Sequence, residues 1–465
     1  MQESIGIGAL VLAAGKGSRM HSTRPKVLHE MLGEPMLQHV LRVVAQVSDD
    51  QLVVLGHCAE AVQTQLSLPD AAIVWQGEQL GTGHAVQCAW PEIQRRNWRL
   101  CLVVNGDAPL LEPHVIQTLL HEMHSTNAAL GFLTLEPEDP SGYGRVVRSA
   151  QGDVQAIIEA RDFCAQQHGT AVNEVNAGVY VFDVNQLGSL LGKLCNSNQQ
   201  NEYYLTDLVE MAVHSGIQVV AAQAGQDTSL LGVNTPLELT TCEELLRRRV
   251  VRYWQQQGVI IRAPEQVRIG ADVELAPGVE IVGPCSVTGH SSFASQTLVS
   301  AYCWVHDTQV GPETVIYPYS HLEQSVIDAR CAVGPYARLR PGTRLHTGAK
   351  VGNFVETKQA VFGRDSKANH LSYLGDCELG EEVNIGAGTI TCNYDGQNKH
   401  HTVIEDGVFV GSNTALVAPV RIGHGALLGA GSTITRDVPA QTLAVARVRQ
   451  KHLALKRKGL AHDNG

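Results

Sequence analysis

The chain has 465 residues, too many for one ordinary core and enough for two domains of about 200–250 residues each. Apolar residues make up 44% and aromatic residues only 5%, an aliphatic excess suited to sheet and β-helix cores. The formal net charge of −11 excludes general affinity for nucleic acid or anionic membranes, so the cations for any anionic substrate must be gathered locally. In chain order, the apolar segment from Ile5 to Ala14 lacks a basic leader and runs into a Gly-rich turn, which predicts a buried first strand over Ile7–Leu12 rather than a signal peptide. Leu52–Leu55, Ala72–Val74, Leu102–Val104 and Leu130–Leu135 read as further buried strands, and Val27–Ser48 and Pro113–Asn127 as helices. That alternation predicts a layered α/β domain with a mostly parallel sheet over residues 1–236. Residues 237–257 read as a charged helical connector, with the arginines of Glu243–Val250 on a solvated face. No stretch approaches the roughly 20 apolar residues of a membrane span. The eleven cysteines form no CxxC pair; Cys58, Cys88, Cys101 and Cys392 stand in strand-like or loop contexts. Reduced thiols in a cytosolic protein are expected rather than a disulfide framework or a zinc site.

From residue 258 to 465 the pattern changes. Aliphatic residues recur every six positions at Ile269, Leu275, Ile281 and Val287, then at Val310, Ile316 and Leu322, and again at Val333, Leu339, Leu345 and Val351. Leu379 and Ile385 continue the series, as do Val410, Leu416, Ile422, Leu428 and Ile434. Neither a helix nor a flat strand has that period. One short strand plus one tight turn does, and three such units make one coil of a triangular prism. The recurrent aliphatic side chain then points inward and stacks on its equivalent about 4.8 Å away in the next coil. The spacing leaves the hand of the coil open. Resemblance to the hexapeptide-repeat family implies a left-handed parallel β-helix, against the usual crossover rule. The period lapses between Val351 and Leu379 and between Thr391 and Val410, which predicts polar loops projecting from the coil.

The first strand is followed by Leu12-Ala13-Ala14-Gly15-Lys16-Gly17-Ser18-Arg19-Met20 and then Pro25-Lys26. Glycines let backbone N–H groups approach a phosphate closely, and Lys16, Arg19 and Lys26 add positive charge. The string is neither a Walker loop nor a full dinucleotide fingerprint. With Pro25-Lys26 it resembles the signature of nucleoside-triphosphate sugar-1-phosphate transferases, although Ser18 stands where that family usually has Thr. Gln76-Gly77-Glu78-Gln79-Leu80-Gly81-Thr82 resembles the family's uracil-reading loop. Asn105-Gly106-Asp107 ends a buried strand, where ligands of open α/β sheets collect. Taken alone, Asp107 reads first as a strand-end cap or turn residue. Gly142, Glu159, Asn176 and Asn234 fall on the family's sugar-contacting and second metal-ligand positions. The resemblance implies a Rossmann-like mixed sheet, with UTP and sugar held by these residues. It also implies Mg²⁺ on Asp107 and Asn234, and phosphate contact and catalysis by Lys26. Asn105 replaces an aromatic residue usual in the N-acetylglucosamine members.

In the second half Arg340 and Lys358 are candidate phosphate ligands. Asn369-His370-Leu371-Ser372-Tyr373 and the run from Asn384 to Asp395 closely resemble glucosamine-1-phosphate N-acetyltransferases, with Asn369 in place of a usual Gly. Acetyl transfer to an amine needs a base, and histidine suits that role near neutral pH. The resemblance makes His370 that base and implies that Tyr373 and Asn384 contact the sugar. It places Ala387, Asn393, Tyr394, Ser412, Ala430 and Arg447 along acetyl-CoA. His400 and His401 receive no role, and the basic tail Lys451–Gly465 reads as a plain tail. From about Ile5 to Arg449 the chain resembles a family of bifunctional bacterial enzymes. That resemblance implies acetylation of glucosamine-1-phosphate by acetyl-CoA, then uridylylation by UTP, in a cytoplasmic homotrimer serving cell-wall synthesis. A β-helix that only assembles subunits is the alternative, and retention of Lys358, His370 and Tyr373 speaks against it.

Overall fold

In the computed structural model, which describes residues 6–137, 139–164, 172–224 and 228–454, the strand Ile7–Leu12 lies inside a mixed sheet. It pairs in parallel with Asp50–Leu55 on one side and Leu100–Asn105 on the other. Ile73–Trp75 extends the first side. Beyond Leu100–Asn105 come the antiparallel Val175–Asp183, then Leu130–Leu135, then the parallel Val219–Gln223. Side chains alternate between two cores because successive residues of a strand face opposite sides. Leu10, Leu52, Val54, Cys101, Val103 and Phe132 pack beneath the helices Thr82–Arg95, Val184–Leu191 and Asp207–His214. Ala9, Val11, Val53, Leu102, Val104 and Leu133 pack beneath Met36–Val44 and Pro113–Thr126. A sheet covered on both faces explains why its strands read as unbroken apolar runs.

Two expectations for this half need correction. Val27–Ser48 is not one helix. Lys26–Leu28 is a single 3₁₀ turn, Glu30–Met31 and Glu34–Pro35 form a small hairpin, and the helix begins at Met36. Leu32 and Gly33 at positive φ make the hairpin turn, and Pro35 closes it. The arginine run is also not wholly solvated. Within the helix Pro236–Gln256, Arg247 is buried and paired with Glu244 at 2.7 Å, while Arg248 is exposed.

Contacts divide the chain into two compact units, Met1–Arg247 and Arg248–Gly465. The second is a parallel β-helix. Ile261, Ile281, Val299, Ile316, Val333, Val351, Ala368, Ile385, Val410, Leu428 and Ala444 are register partners in one continuous parallel ladder. Every aliphatic residue of the six-residue series is at most 5% exposed, so the period does mark the inward position. At one corner Tyr302, Tyr319, Tyr336 and Phe354 adopt φ of 55–62° and stack exposed rings at centroid distances of 4.7, 4.8 and 5.2 Å.

The two predicted lapses have different causes. Between Val351 and Leu379 no loop projects. Strands Lys350–Asn353, Glu356–Phe362, Lys367–His370 and Tyr373–Leu379 continue the coil, with Thr357, Phe362, Ala368 and Leu374 buried at the inward positions. The period was lost there because Thr and Ala replaced larger aliphatics and some steps are five residues long. The second lapse is a real insertion. Asn384 pairs with Phe409, a step of 25 residues, against 17 from Lys367 to Asn384. The excess, from Tyr394 to His401, projects as a loop with Tyr394 bridged to Lys399.

Candidate active sites

In the first unit the chain leaves Ile7–Leu12 toward one side of the sheet, while Leu100–Asn105 lies on the other. The crevice at such a reversal, at the carboxyl ends of the strands, is where an open α/β sheet binds ligands. Here it is a cavity of about 700 Å³. Leu12, Ala13, Ala14, Gly15 and Lys16 line it from the first loop, Gln76, Gly81 and Thr82 from the loop after Ile73–Trp75, and Asn105 and Asp107 from the central strand end. Gly106 pins two of these loops together by donating its N–H to Leu12 O at 2.9 Å.

Lys26 enters the cleft across Gly17. Gly17 has φ of 61°, and a Cβ there would stand 2.5 Å from Cβ of Lys26. The Lys26 ammonium pairs with the Asp107 carboxylate and lies 3.2 Å from Asn234 Oδ1, which also accepts from Arg19 at 2.9 Å. Asn234 is held in turn: its N–H donates to Glu238 Oε2 at 2.6 Å, and Val233 N–H donates to Asp107 O at 2.8 Å. One carboxylate and one amide oxygen therefore converge on a single cation. Such a pair suits a hard divalent ion that completes its shell with water and phosphate oxygens.

Farther along the unit, Glu159 is half-buried and accepts from Thr206 Oγ1 at 3.0 Å; desolvation raises its carboxyl pKa. Asn176 N–H donates to Gly144 O at 2.9 Å, and Asn176 Oδ1 accepts from Gly178 N–H at 3.0 Å, so the Gly142–Gly144 turn meets this strand. Gly142 itself is exposed, with open space where a Cβ would be. Sequence reading missed Glu202, which lines the cleft, and Tyr203, whose carbonyl accepts from Gly83 N–H at 2.8 Å. They come from an irregular segment more than 100 residues away, and only the Tyr203-Tyr204 pair hinted at packing there.

In the second unit His370 ends the strand Lys367–His370, opposite Asn353 in the preceding coil. Its Nδ1 lies 2.5 Å from Asn353 Oδ1. An amide oxygen only accepts, so Nδ1 carries the proton and Nε2 presents a lone pair. Across the corner, Arg340 and Lys358 are equivalent positions of successive coils, two residues beyond the register pair Arg338 and Glu356. Arg340 donates to Glu356 at 3.0 Å. The ammonium of Lys399, from the projecting loop, adjoins Lys358 and with Arg340 holds its pKa below the usual lysine value; Asp376 opposes that shift. A cluster of three cations repels itself until an anion binds. Nothing in the local sequence ties Lys399 to Lys358; only the projecting loop brings the two together.

The hydroxyl of Tyr373 and the amide of Asn393 meet over Gly375, where a Cβ would stand 2.5 Å from Tyr373 Oη and 2.9 Å from Asn393 Nδ2. Asn393 donates to Asp376. His370, Ala387, Ser412 and Ala430 are equivalent positions, each two residues past an inward member of the ladder, so the histidine heads a column of small side chains. Arg447 donates to Ala430 O at 2.7 Å near the end of that column. Asn384 lies on the same strand line, three residues before Ala387. Tyr394 is carried on the projecting loop with its hydroxyl on Gly396 O at 2.6 Å. His400 braces that loop through Asp395 at 2.7 Å.

A MobA-like NTP transferase domain model matches residues 9–169, and a bacterial transferase hexapeptide model of six repeats matches residues 401–436. The chain is similar to curated proteins named bifunctional protein GlmU. It is 49% identical to that of Oleidesulfovibrio alaskensis over 96% of this chain and 97% of that protein. It is also 49% identical to that of Nitratidesulfovibrio vulgaris, over 97% and 98%, and 44% identical to that of an Azoarcus species, over 96% and 97%. With a nucleotidyltransferase cleft, a hexapeptide coil and identity across nearly the whole length, this chain belongs to the family of bifunctional GlmU proteins.

Proposed function

We infer that this chain is a bifunctional transferase. Its second unit acetylates glucosamine-1-phosphate with acetyl-CoA, and its first unit transfers uridylyl from UTP to N-acetylglucosamine-1-phosphate, giving UDP-N-acetylglucosamine and pyrophosphate. The observation that carries this reading is the presence in one chain of two separate constellations, Lys26 with Asp107 and Asn234, and His370 with Asn353.

In acetyl transfer, Arg340, Lys358 and Lys399 hold the sugar phosphate and relieve their mutual repulsion by doing so. Tyr373 and Asn384 orient the sugar. Its amine attacks the thioester carbonyl while His370 Nε2 takes the amine proton. The imidazolium keeps its Nδ1–H bond to Asn353, now charge-assisted. Coenzyme A then leaves as the free thiol. Ala387, Ser412 and Ala430 leave room for the acetyl donor along the column, flanked by Asn393, Tyr394 and Arg447.

In uridylyl transfer, an oxygen of the sugar phosphate attacks the α-phosphorus of UTP in line, and the bond to pyrophosphate breaks. Residues 12–15 cradle the nucleotide, Gln76 and Gly81 meet the uracil, and Gly142, Glu159 and Asn176 meet the sugar. Lys26 exchanges Asp107 for phosphate oxygens as the nucleotide binds. Asp107 and Asn234 would hold Mg²⁺, which when bound would neutralise phosphate charge. We further propose a cytoplasmic homotrimer assembled through the coil. No helix among the described residues is long and apolar enough to cross a membrane, and the exposed aromatic corner supports assembly.

Single substitutions test the division of labour. His370→Ala should abolish thiol release while uridylylation of pre-acetylated sugar phosphate continues. Lys26→Ala should do the reverse, with at least a hundredfold loss of pyrophosphate release. Equal loss of both activities in either variant would contradict the two-site reading.

A further inference from the structure

The helix Thr82–Arg95 follows Gln76 and Gly81 directly, and its first turn carries His84. Gln76 is buried in the wall of the cleft, and its side-chain amide makes two contacts. Nε2 lies 3.1 Å from the carbonyl oxygen of Gly81 and 3.0 Å from Nδ1 of His84. The first contact fixes the second. A carbonyl oxygen accepts only, so the atom facing it is the NH₂ group. That group then also faces His84, whose Nδ1 must be the acceptor and whose proton is on Nε2. The Sγ of Cys88, one turn on, lies 3.7 Å from that Nε2 and receives it. The thiol stays protonated because burial raises its pKa. With both amide hydrogens of Gln76 committed, the polar atom left for a ligand is Oε1.

We propose that His84 is a positioning residue that locks the Gln76 amide with Oε1 toward the nucleotide base, so that the cleft takes uracil and rejects cytosine. Uracil offers N3–H, a donor that Oε1 accepts. Cytosine offers an unprotonated N3, an acceptor that would face Oε1 with no hydrogen between them. An amide free to turn over would serve cytosine equally well with its NH₂ group. Discrimination therefore lies in holding the amide; Gly81 O and His84 hold it together, and His84 does so from outside the ring of residues that line the cavity. Sites that commit a buried polar group to one partner reject the mismatched analogue strongly. This inference rests on the reading of Gln76 as a base contact.

The test uses the full chain with Mg²⁺ and N-acetylglucosamine-1-phosphate, following pyrophosphate release from UTP and from CTP. His84→Phe fills the space without an acceptor, His84→Asn restores an acceptor at the δ position, and Gln76→Ala removes the reader. The ratio of kcat/KM for UTP to that for CTP should fall about tenfold in H84F, the worth of one hydrogen bond. It should stay within about threefold of the parent value in H84N, because the δ acceptor is kept. Dissociation constants for UTP and CTP give the same ratio if a variant does not turn over. Equal weakening of both nucleotides in H84F, or loss of the ratio in H84N, overturns the positioning role. A ratio unchanged in Q76A overturns instead the base contact on which it rests.

Discussion

Replacing Asn353 by Ala removes the side chain that the structure places on His370 Nδ1. The ring stays in place on its strand but loses its acceptor at 2.5 Å. In the ground state that bond joins two neutral groups and is worth about 1 kcal/mol. As His370 takes the amine proton the donor becomes cationic, and bonds to charged groups are worth about 1.5–3 kcal/mol. His370 is exposed and Asn353 only half-buried, so the lower end applies. The mutation also removes the ground-state bond of about 1 kcal/mol, so the differential loss is about 0.5 kcal/mol, roughly a twofold fall in kcat. Thiol release at saturating glucosamine-1-phosphate and acetyl-CoA measures it; KM for both substrates should be little changed, and Asn353→Asp should keep most activity. The decisive control is the His370→Ala background. If N353A costs as much there as in the parent, the effect does not pass through the histidine and the reasoning fails.

Other consequences concern space and charge. Gly375→Ala should cut thiol release at least tenfold with little change in unfolding midpoint, because its Cβ would displace the side-chain ends of Tyr373 and Asn393 rather than backbone; a large fall in stability would refute this. In the first unit, burial and the charges of Glu159, Glu210 and Asp162 raise the Asp207 carboxyl pKa from 3.8 to about 6. The folded state therefore holds the proton more tightly than the unfolded chain. That contribution is full below about pH 4 and is lost as pH rises through 6. Asp207→Asn should thus gain stability relative to the parent as pH increases, levelling above about pH 7. A shift of this size would be just under 3 kcal/mol at full burial, and screening at this half-buried site reduces it to about 1 kcal/mol. Urea midpoints at pH 4.5 and pH 8 measure the difference, and a gain no larger at pH 8 would contradict it.

What could be read from sequence followed from local repetition and strand-end chemistry. The six-residue period named the inward residues because each coil repeats the same environment, and the apolar runs named strands because both sheet faces are covered. Gly17, Lys26, Asp107 and His370 stood in compact strings whose spacing reflects one loop or one strand end. What escaped was set by contacts between distant segments or by quiet substitutions. Thr357 and Ala368 broke the visible period without breaking the coil, so residues 351–379 passed for a loop. Gly33 and Pro35 cut an apolar run that otherwise read as one helix. Lys399, Glu202 and Asn353 reach their sites across a loop, a long irregular segment and a neighbouring coil, and no local spacing records such meetings.

The central claim is that one chain carries out both transfers in sequence. The most direct measurement supplies glucosamine-1-phosphate, acetyl-CoA, UTP and Mg²⁺ to the full chain and follows free thiol and pyrophosphate separately. Thiol should appear first, and pyrophosphate should follow only when acetyl-CoA is present. Pyrophosphate released only from pre-acetylated sugar phosphate, with no thiol formed at any stage, would contradict the account.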